Sequence, residues 1–144
     1  MIETFTKALL PACAALYAEV FHCAPWRENW TTAQAAQYLS EFIESARFQG
    51  FVFLDQGQVL GAAFCHGKTW QDHTQLFVDE LYVSTSQQGS GVGSALMATV
   101  EDYASAQGMV SVVLLTSSEK PAMRFYRGRG YACAEEYKFL YKEL

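Results

Sequence analysis

Apolar side chains recur at three- and four-residue intervals near the start of the chain. Leu9, Cys13, Leu16 and Val20, with Tyr17 and Phe21 beside them, fall on one face of a helix expected over about residues 9–22, and Glu19 and His22 lie off that face. Before it, residues 2–6 (Ile-Glu-Thr-Phe-Thr) alternate weakly and predict a first strand. After it, the loop Ala24-Pro25-Trp26-Arg27-Glu28-Asn29-Trp30 breaks the period. Thr31 and Gln34 then have the spacing of a capping box, in which each side chain satisfies a free backbone N–H at a helix start. Ala35, Leu39, Phe42, Ile43 and Ala46 form the apolar stripe of that second helix, which Gly50 is expected to end.

The period then changes from helical to two. Phe51–Leu54, a turn at Asp55–Gln58 and Val59–Phe64 read as a hairpin, and Gln75–Val83 as a further strand, so the first half of the sheet is expected to be antiparallel. A glycine-rich turn, Gln88-Gly-Ser-Gly-Val-Gly93, opens a helix whose stripe is Val92, Leu96, Thr99, Val100 and Tyr103, ended by Gly108. Val110–Leu115 is a nearly unbroken β-branched and apolar run, the pattern of a strand covered on both faces. A strand, helix, strand order implies a parallel crossover. A short helix is expected from Pro121 to Arg127, broken by Gly128 and Gly130, and residues 131–141 are expected to supply closing strands. The reading is an α/β (α+β) fold with a mixed sheet, as a single domain over residues 1–144.

Composition narrows the function. With 51% apolar and 15% aromatic residues the chain can bury a core, which excludes disorder. A formal charge of -5 without a Lys/Arg cluster argues against a nucleic-acid partner. No stretch approaches the ~18–20 apolar residues that span a bilayer, so no membrane partner is expected. The apolar run Ala8–Ala18 is better explained as a helix than as a secretory leader, because Pro11 interrupts it and Glu3 offsets Lys7. Cys13, Cys23, Cys65 and Cys133 contain no C-x-x-C pair, and His22, His66 and His73 complete no zinc spacing. Small buried thiols in a reducing cytoplasm, without a metal, are the expectation.

The glycine-rich turn carries the chemistry. Consecutive glycines let backbone approach an anion closely, and the free N–H groups and dipole of the following helix attract phosphate. A dinucleotide fingerprint from Gly89 would need a third glycine where Ser94 stands. Gly67-Lys68-Thr69 imitates the end of a phosphate loop, but Gly61 precedes Gly67 by one residue too many. An ordinary glycine turn that only starts a helix is the bland alternative.

The turn is accompanied by Glu80-Leu-Tyr-Val83 upstream and by Ala122-x-x-Phe125-Tyr126-x-x-x-Gly130-Tyr131 downstream. These three motifs, in this order and register, resemble the GNAT superfamily of acetyl-CoA-dependent N-acyltransferases, most strongly over about residues 75–131. The resemblance implies a mixed, largely antiparallel sheet flanked by helices, with a splayed pair of central parallel strands admitting acetyl-CoA. It implies backbone groups of Leu81 and Val83 on the pantetheine arm, and Gln88, Gly89, Gly91, Val92, Gly93 and Ser94 around the pyrophosphate. Where many members carry Asn three residues before the motif alanine, this chain has Glu119.

Acyl transfer to an amine needs a proton removed, because an amine of pKa ~10 is mostly ammonium at neutrality. Asp79 and Glu80 are the candidate bases. Strand alternation puts Asp79 on the face of Leu81 and Val83, whereas Glu80 belongs to the family-like string. The departing thiolate is served by a donor, and Tyr126 matches the family tyrosine. Trp26, Trp30 and Tyr38 lie where this fold shapes its acceptor site, although all three could be hydrophobic filling. The resemblance therefore implies a cytoplasmic N-acetyltransferase acting by direct transfer in a ternary complex. Its acceptor would be a small-molecule primary amine, of polyamine or aminoglycoside-like kind, or a protein amino group. A homodimer is a further expectation. A non-catalytic acyl-CoA-binding sensor is the alternative from another class.

Overall fold

The capping box forms as its spacing requires. In the computed structural model, which describes residues 1–144, Gln34 N donates to Thr31 Oγ1 at 3.1 Å and Thr31 N to Gln34 Oε1 at 3.0 Å. The helix so started is α2 (Thr32–Ile43), preceded by β1 (Ile2–Thr4) and α1 (Leu10–His22). There follow β2 (Phe48–Asp55), β3 (Gln58–Trp70), β4 (His73–Val83), α3 (Val92–Ala106), β5 (Ser111–Leu114) and α4 (Pro121–Gly128). The strands lie in the order β1-β2-β3-β4-β5; the first three pairings are antiparallel and β4-β5 is parallel.

Each face of the sheet carries its own core, as period-2 strands between amphipathic helices require. On one face α1 and α2 bury Cys13, Tyr17 and Leu39 against Phe5, Val52, Phe64 and Tyr82. Tyr82 Oη donates to the Cys13 carbonyl at 3.0 Å in the interior, which fixes α1 over β4. On the other face α3 sets Leu96, Met97 and Val100 against Ala63, Cys65, Leu76 and Val78. No helix is long and apolar enough to cross a membrane, and all four cysteines are free thiols.

Four expectations about elements need correction. Gly50 does not end α2, which stops at Ile43 and leaves Ala46 exposed outside it. Gly50 is a buried strand residue, where a Cβ would lie 2.7 Å from Phe5 Cβ, so close packing demands the glycine. The hairpin's second strand does not stop at Phe64: Gly67, Lys68 and Thr69 pair with Leu76, Gln75 and Thr74 inside β3, so they form no phosphate loop.

Residues 131–141 add no strands. Gly130 turns the chain at φ +90°, Arg129 Nη2 reaches Glu101 on α3 at 2.6 Å, and Tyr131 Oη donates to the same carboxylate at 3.1 Å. The chain is thereby drawn onto α3 and then runs irregularly, with Tyr137, Phe139, Leu140 and Tyr141 exposed. β5 is consequently the last strand, and its residues are half-buried rather than covered on both faces.

Candidate active site

The two parallel strands part in the middle of β4. Pairing with β5 covers only Gln75–Val78, while pairing with β3 continues to Val83, so Leu81 and Val83 have no strand neighbour on the β5 side. A cleft of about 480 Å³ opens at this fork. Leu81, Tyr82 and Val83 form its floor, Val20, Phe21, Pro25 and Trp26 one wall, and the glycine-rich turn with Pro121, Ala122, Phe125 and Tyr126 the other. Lys120 Nζ bridges the walls, donating to the Pro25 carbonyl at 3.2 Å with the Trp26 ring centre 5.7 Å away. The Gln88 amide donates to the Val83 carbonyl at 3.3 Å, tying the turn to the strand end.

The turn itself is shaped for close approach. Gly89 (φ +80°) and Gly91 (φ +93°) occupy the left-handed region that L side chains rarely adopt, and a Cβ on either would meet open space. Gly93 is different, since a Cβ there would sit 3.6 Å from Phe125 and Val83, an ordinary contact within the cleft wall. Ala95 N is the first helical amide to find a partner, Gly91 O at 2.9 Å, so the preceding N–H groups of α3 are the orphan donors of a helix start. Val92 turns its side chain into the α3 core, leaving only its backbone to the turn, while Gln88 and Ser94 line the cleft.

A β-bulge decides where the two carboxylates point. Phe64 pairs with Glu80 and Cys65 with Val78, so Asp79 is the extra residue of β4. Strand alternation fails there, and Asp79 does not share a face with Leu81 and Val83. Its Oδ2 lies 2.7 Å from His66 Nδ1, and His66 is on the Phe64 face of β3, the face that Glu80 also takes. Glu80 accepts a short 2.5 Å hydrogen bond from Tyr38 Oη of α2.

Burial pushes the Glu80 carboxyl up to about 7; the Tyr38 bond opposes this, and the charges of Glu28 and Asp79 add to it. Asp79 is also raised, by burial first, with the His66 hydrogen bond and charge opposing. Tyr126, buried on the cleft wall, is pushed up to about 12 by desolvation and the nearby Glu80 and Cys65, so it stays protonated at neutrality.

Of the aromatic residues expected at an acceptor site, only Trp26 lines the cleft. Trp30 and Tyr38 pack against each other with ring centres 5.0 Å apart, and both against Tyr17, Trp30 edge-on, forming an aromatic wall beside Glu80 and away from the turn. Trp30 Nε1 donates to Glu28 Oε1 at 3.2 Å. Sequence reasoning missed Tyr17, Glu28 and His66. Tyr17 was visible only as a member of a core stripe, and His66 needed the strand register before it could be placed beside Asp79.

The model of the acetyltransferase (GNAT) family matches residues 13–131. The chain belongs to this family. Among solved structures, the integron cassette protein VCH_CASS6 of V. cholerae superposes with a TM-score of 0.84 at 21% identity, over 99% of this chain and 91% of that one. The aminoglycoside acetyltransferase meta-AAC0020 from an uncultured soil metagenomic sample, solved with trehalose, gives 0.77 at 19% identity, over 100% and 95%. An acetyltransferase of Trypanosoma brucei gives 0.73 at 18%, over 99% of both chains. At such identities the likeness is one of fold. Among curated proteins no sequence relative was found.

The residues present fit the acetyl-CoA that this family generally uses as donor. The fork leaves the free edge an extended amide chain needs, and the left-handed glycines leave open space at a turn followed by the orphan N–H groups of a helix start, as an anion requires.

Proposed function

We propose that the protein is an N-acetyltransferase that transfers an acetyl group from acetyl-CoA to a primary amine of a small molecule or protein, by direct attack in a ternary complex. The observation that carries this reading is a pair of proton-transfer groups beside one cleft. Glu80, poised at about 7, immediately precedes the strand segment on the cleft floor, and Tyr126, protonated at neutrality, stands on the wall. When bound, acetyl-CoA supplies an activated thioester carbonyl for the amine to attack. Backbone groups of Leu81 and Val83 and the N–H groups of Gln88, Gly89, Gly91, Val92, Gly93 and Ser94 would hold it.

Glu80 takes the proton of the acceptor ammonium at its carboxylate; a base near 7 is ionised often enough at neutrality yet basic enough to accept. Tyr126 delivers the proton of its Oη to the leaving sulfur and is reprotonated from solvent. The C–N bond forms and the C–S bond breaks. Nitrogen loses two protons, the first to Glu80 before attack and the second to solvent as the intermediate collapses, and the sulfur gains one from Tyr126. Glu80 returns its proton to water, for a net release of one proton. The wall of Trp30 and Tyr38, with Glu28 beside it, suits a cationic acceptor, as aromatic faces and carboxylates both attract ammonium. The free thiols fit a cytoplasmic location.

The test measures coenzyme A release in the presence of polyamines, aminoglycosides and lysine peptides. Amine-dependent release that Glu80→Gln abolishes at unchanged donor affinity supports the reading. Tight donor binding with no transfer to any amine favours an acyl-CoA sensor.

A further inference from the structure

The bulge creates a difficulty that ordinary strand alternation would avoid: it puts two consecutive carboxylates, Asp79 and Glu80, on the same face of β4. Carboxylates so placed compete for one proton, and neither then has a well-defined role at neutral pH. The groups facing Glu80 do not relieve this. They are Tyr17 from α1, Tyr38 from α2, Glu28 from the loop between them, Tyr82 and Asp79 from β4 and Tyr126 from α4, all of them neutral or acidic. Of the Glu28, Asp79 and Glu80 carboxylates, that of Asp79 alone lies within hydrogen-bond distance of a basic side chain, His66.

His66 is built to hold its place. It is the register partner of Phe77 on β4, and the two rings stack at 5.5 Å and 24°, with Lys68 Nζ 5.1 Å from the Phe77 ring centre. Its Nδ1 is 2.7 Å from Asp79 Oδ2; the Asp79 side chain is 13% exposed and the His66 side chain 28%, so the imidazole reaches water while the carboxylate it holds is largely covered.

We propose that His66 is a positioning residue that acts on Glu80 through Asp79, occupying the Asp79 carboxylate so that Glu80 alone takes the proton of the acceptor amine. This rests on the assignment of Glu80 as the base. Without His66 the freed Asp79 carboxylate would share the proton of Glu80 and hold it to higher pH. Without Asp79 the effect of His66 on Glu80 would vanish.

The experiment follows Glu80 in two ways: by ¹³C NMR titration of the glutamate side-chain carboxyls in the protein alone, with Glu80→Gln assigning the resonance, and by the acid limb of the kcat/KM profile. His66→Phe should raise both midpoints by about one pH unit, the scale of a neighbouring charge, and Asp79→Asn should lower both. In the Asp79→Asn background, His66→Phe should change neither. His66→Gln, which keeps an N–H donor of different reach, guards against misfolding and should move the midpoints in the same direction by less. Unmoved midpoints in folded His66→Phe and His66→Gln, or an equal movement with Asp79 absent, would overturn the proposal. If the NMR midpoint moves as described while Glu80→Gln keeps full activity, the positioning stands and the assignment of the base fails.

Discussion

Replacing Glu80 with Gln should make the protein more stable and less active at once, and the gain in stability should depend on pH. An ordinary glutamate carboxyl titrates at 4.5 and Glu80 in the fold at about 7, with burial as the main cause. Below the lower value both folded and unfolded chains carry the proton. Between the two values the unfolded chain ionises while the fold keeps its proton, so stability falls as pH rises; above about 7 both are ionised and the loss is complete. At ~1.36 kcal/mol for each pH unit, the gap between 4.5 and about 7 corresponds to a loss of about 3 kcal/mol. Gln carries no charge to desolvate and can still accept the Tyr38 hydrogen bond. Glu80→Gln should therefore match wild type near pH 4.5 and exceed it by up to about 3 kcal/mol at pH 8, on the order of 10 °C in Tm for a chain of this size. Urea denaturation of both proteins across this range measures the difference directly. A stability gap that is the same at pH 5 and pH 8, or absent at both, would refute the assignment of a buried, proton-retaining Glu80.

Gly93→Asp should fold, because its Cβ makes only ordinary contacts, yet lower coenzyme A affinity at least about tenfold by calorimetry, since it puts a negative charge in the cleft wall beside the turn. Tyr126→Phe should keep donor affinity within a few-fold while turnover falls by about 10²-fold where chemistry limits the rate, the scale of positioned acid catalysis. Wild-type turnover in that variant would assign Tyr126 to packing. Tyr38→Phe removes a hydrogen bond that favours ionised Glu80, so the acid limb of kcat/KM should move to higher pH; a limb that moves down or stays would disconnect Tyr38 from the base.

Helix signals in the sequence were local and therefore readable. The Thr31–Gln34 box and the α1 stripe need only neighbours a turn away, and both form as expected. Gly50 misled because a glycine required by packing against Phe5 looks, in sequence, like a helix stop. The tail was β-prone by composition, but the contacts of Arg129 and Tyr131 with Glu101 draw the chain away from the open edge of β5, and those contacts cross α3 and α4. The site shows the same division. The glycine turn and Tyr126 were legible as motifs, whereas the side to which Asp79 points depends on a bulge set by the pairing of β3 with β4. No alternation rule within one strand contains that information. Val92 shows a smaller version, since its membership of the turn was readable and the burial of its side chain was not.

The most direct measurement of the central claim incubates the protein with acetyl-CoA and a panel of primary amines, following thiol release and the mass of each amine together. The account predicts that at least one amine gains an acetyl group in step with coenzyme A release, that release without amine is slow, and that Glu80→Gln and Tyr126→Phe both suppress the transfer while still binding donor. Donor binding with no acetylated amine, or transfer that survives both substitutions unchanged, would contradict it.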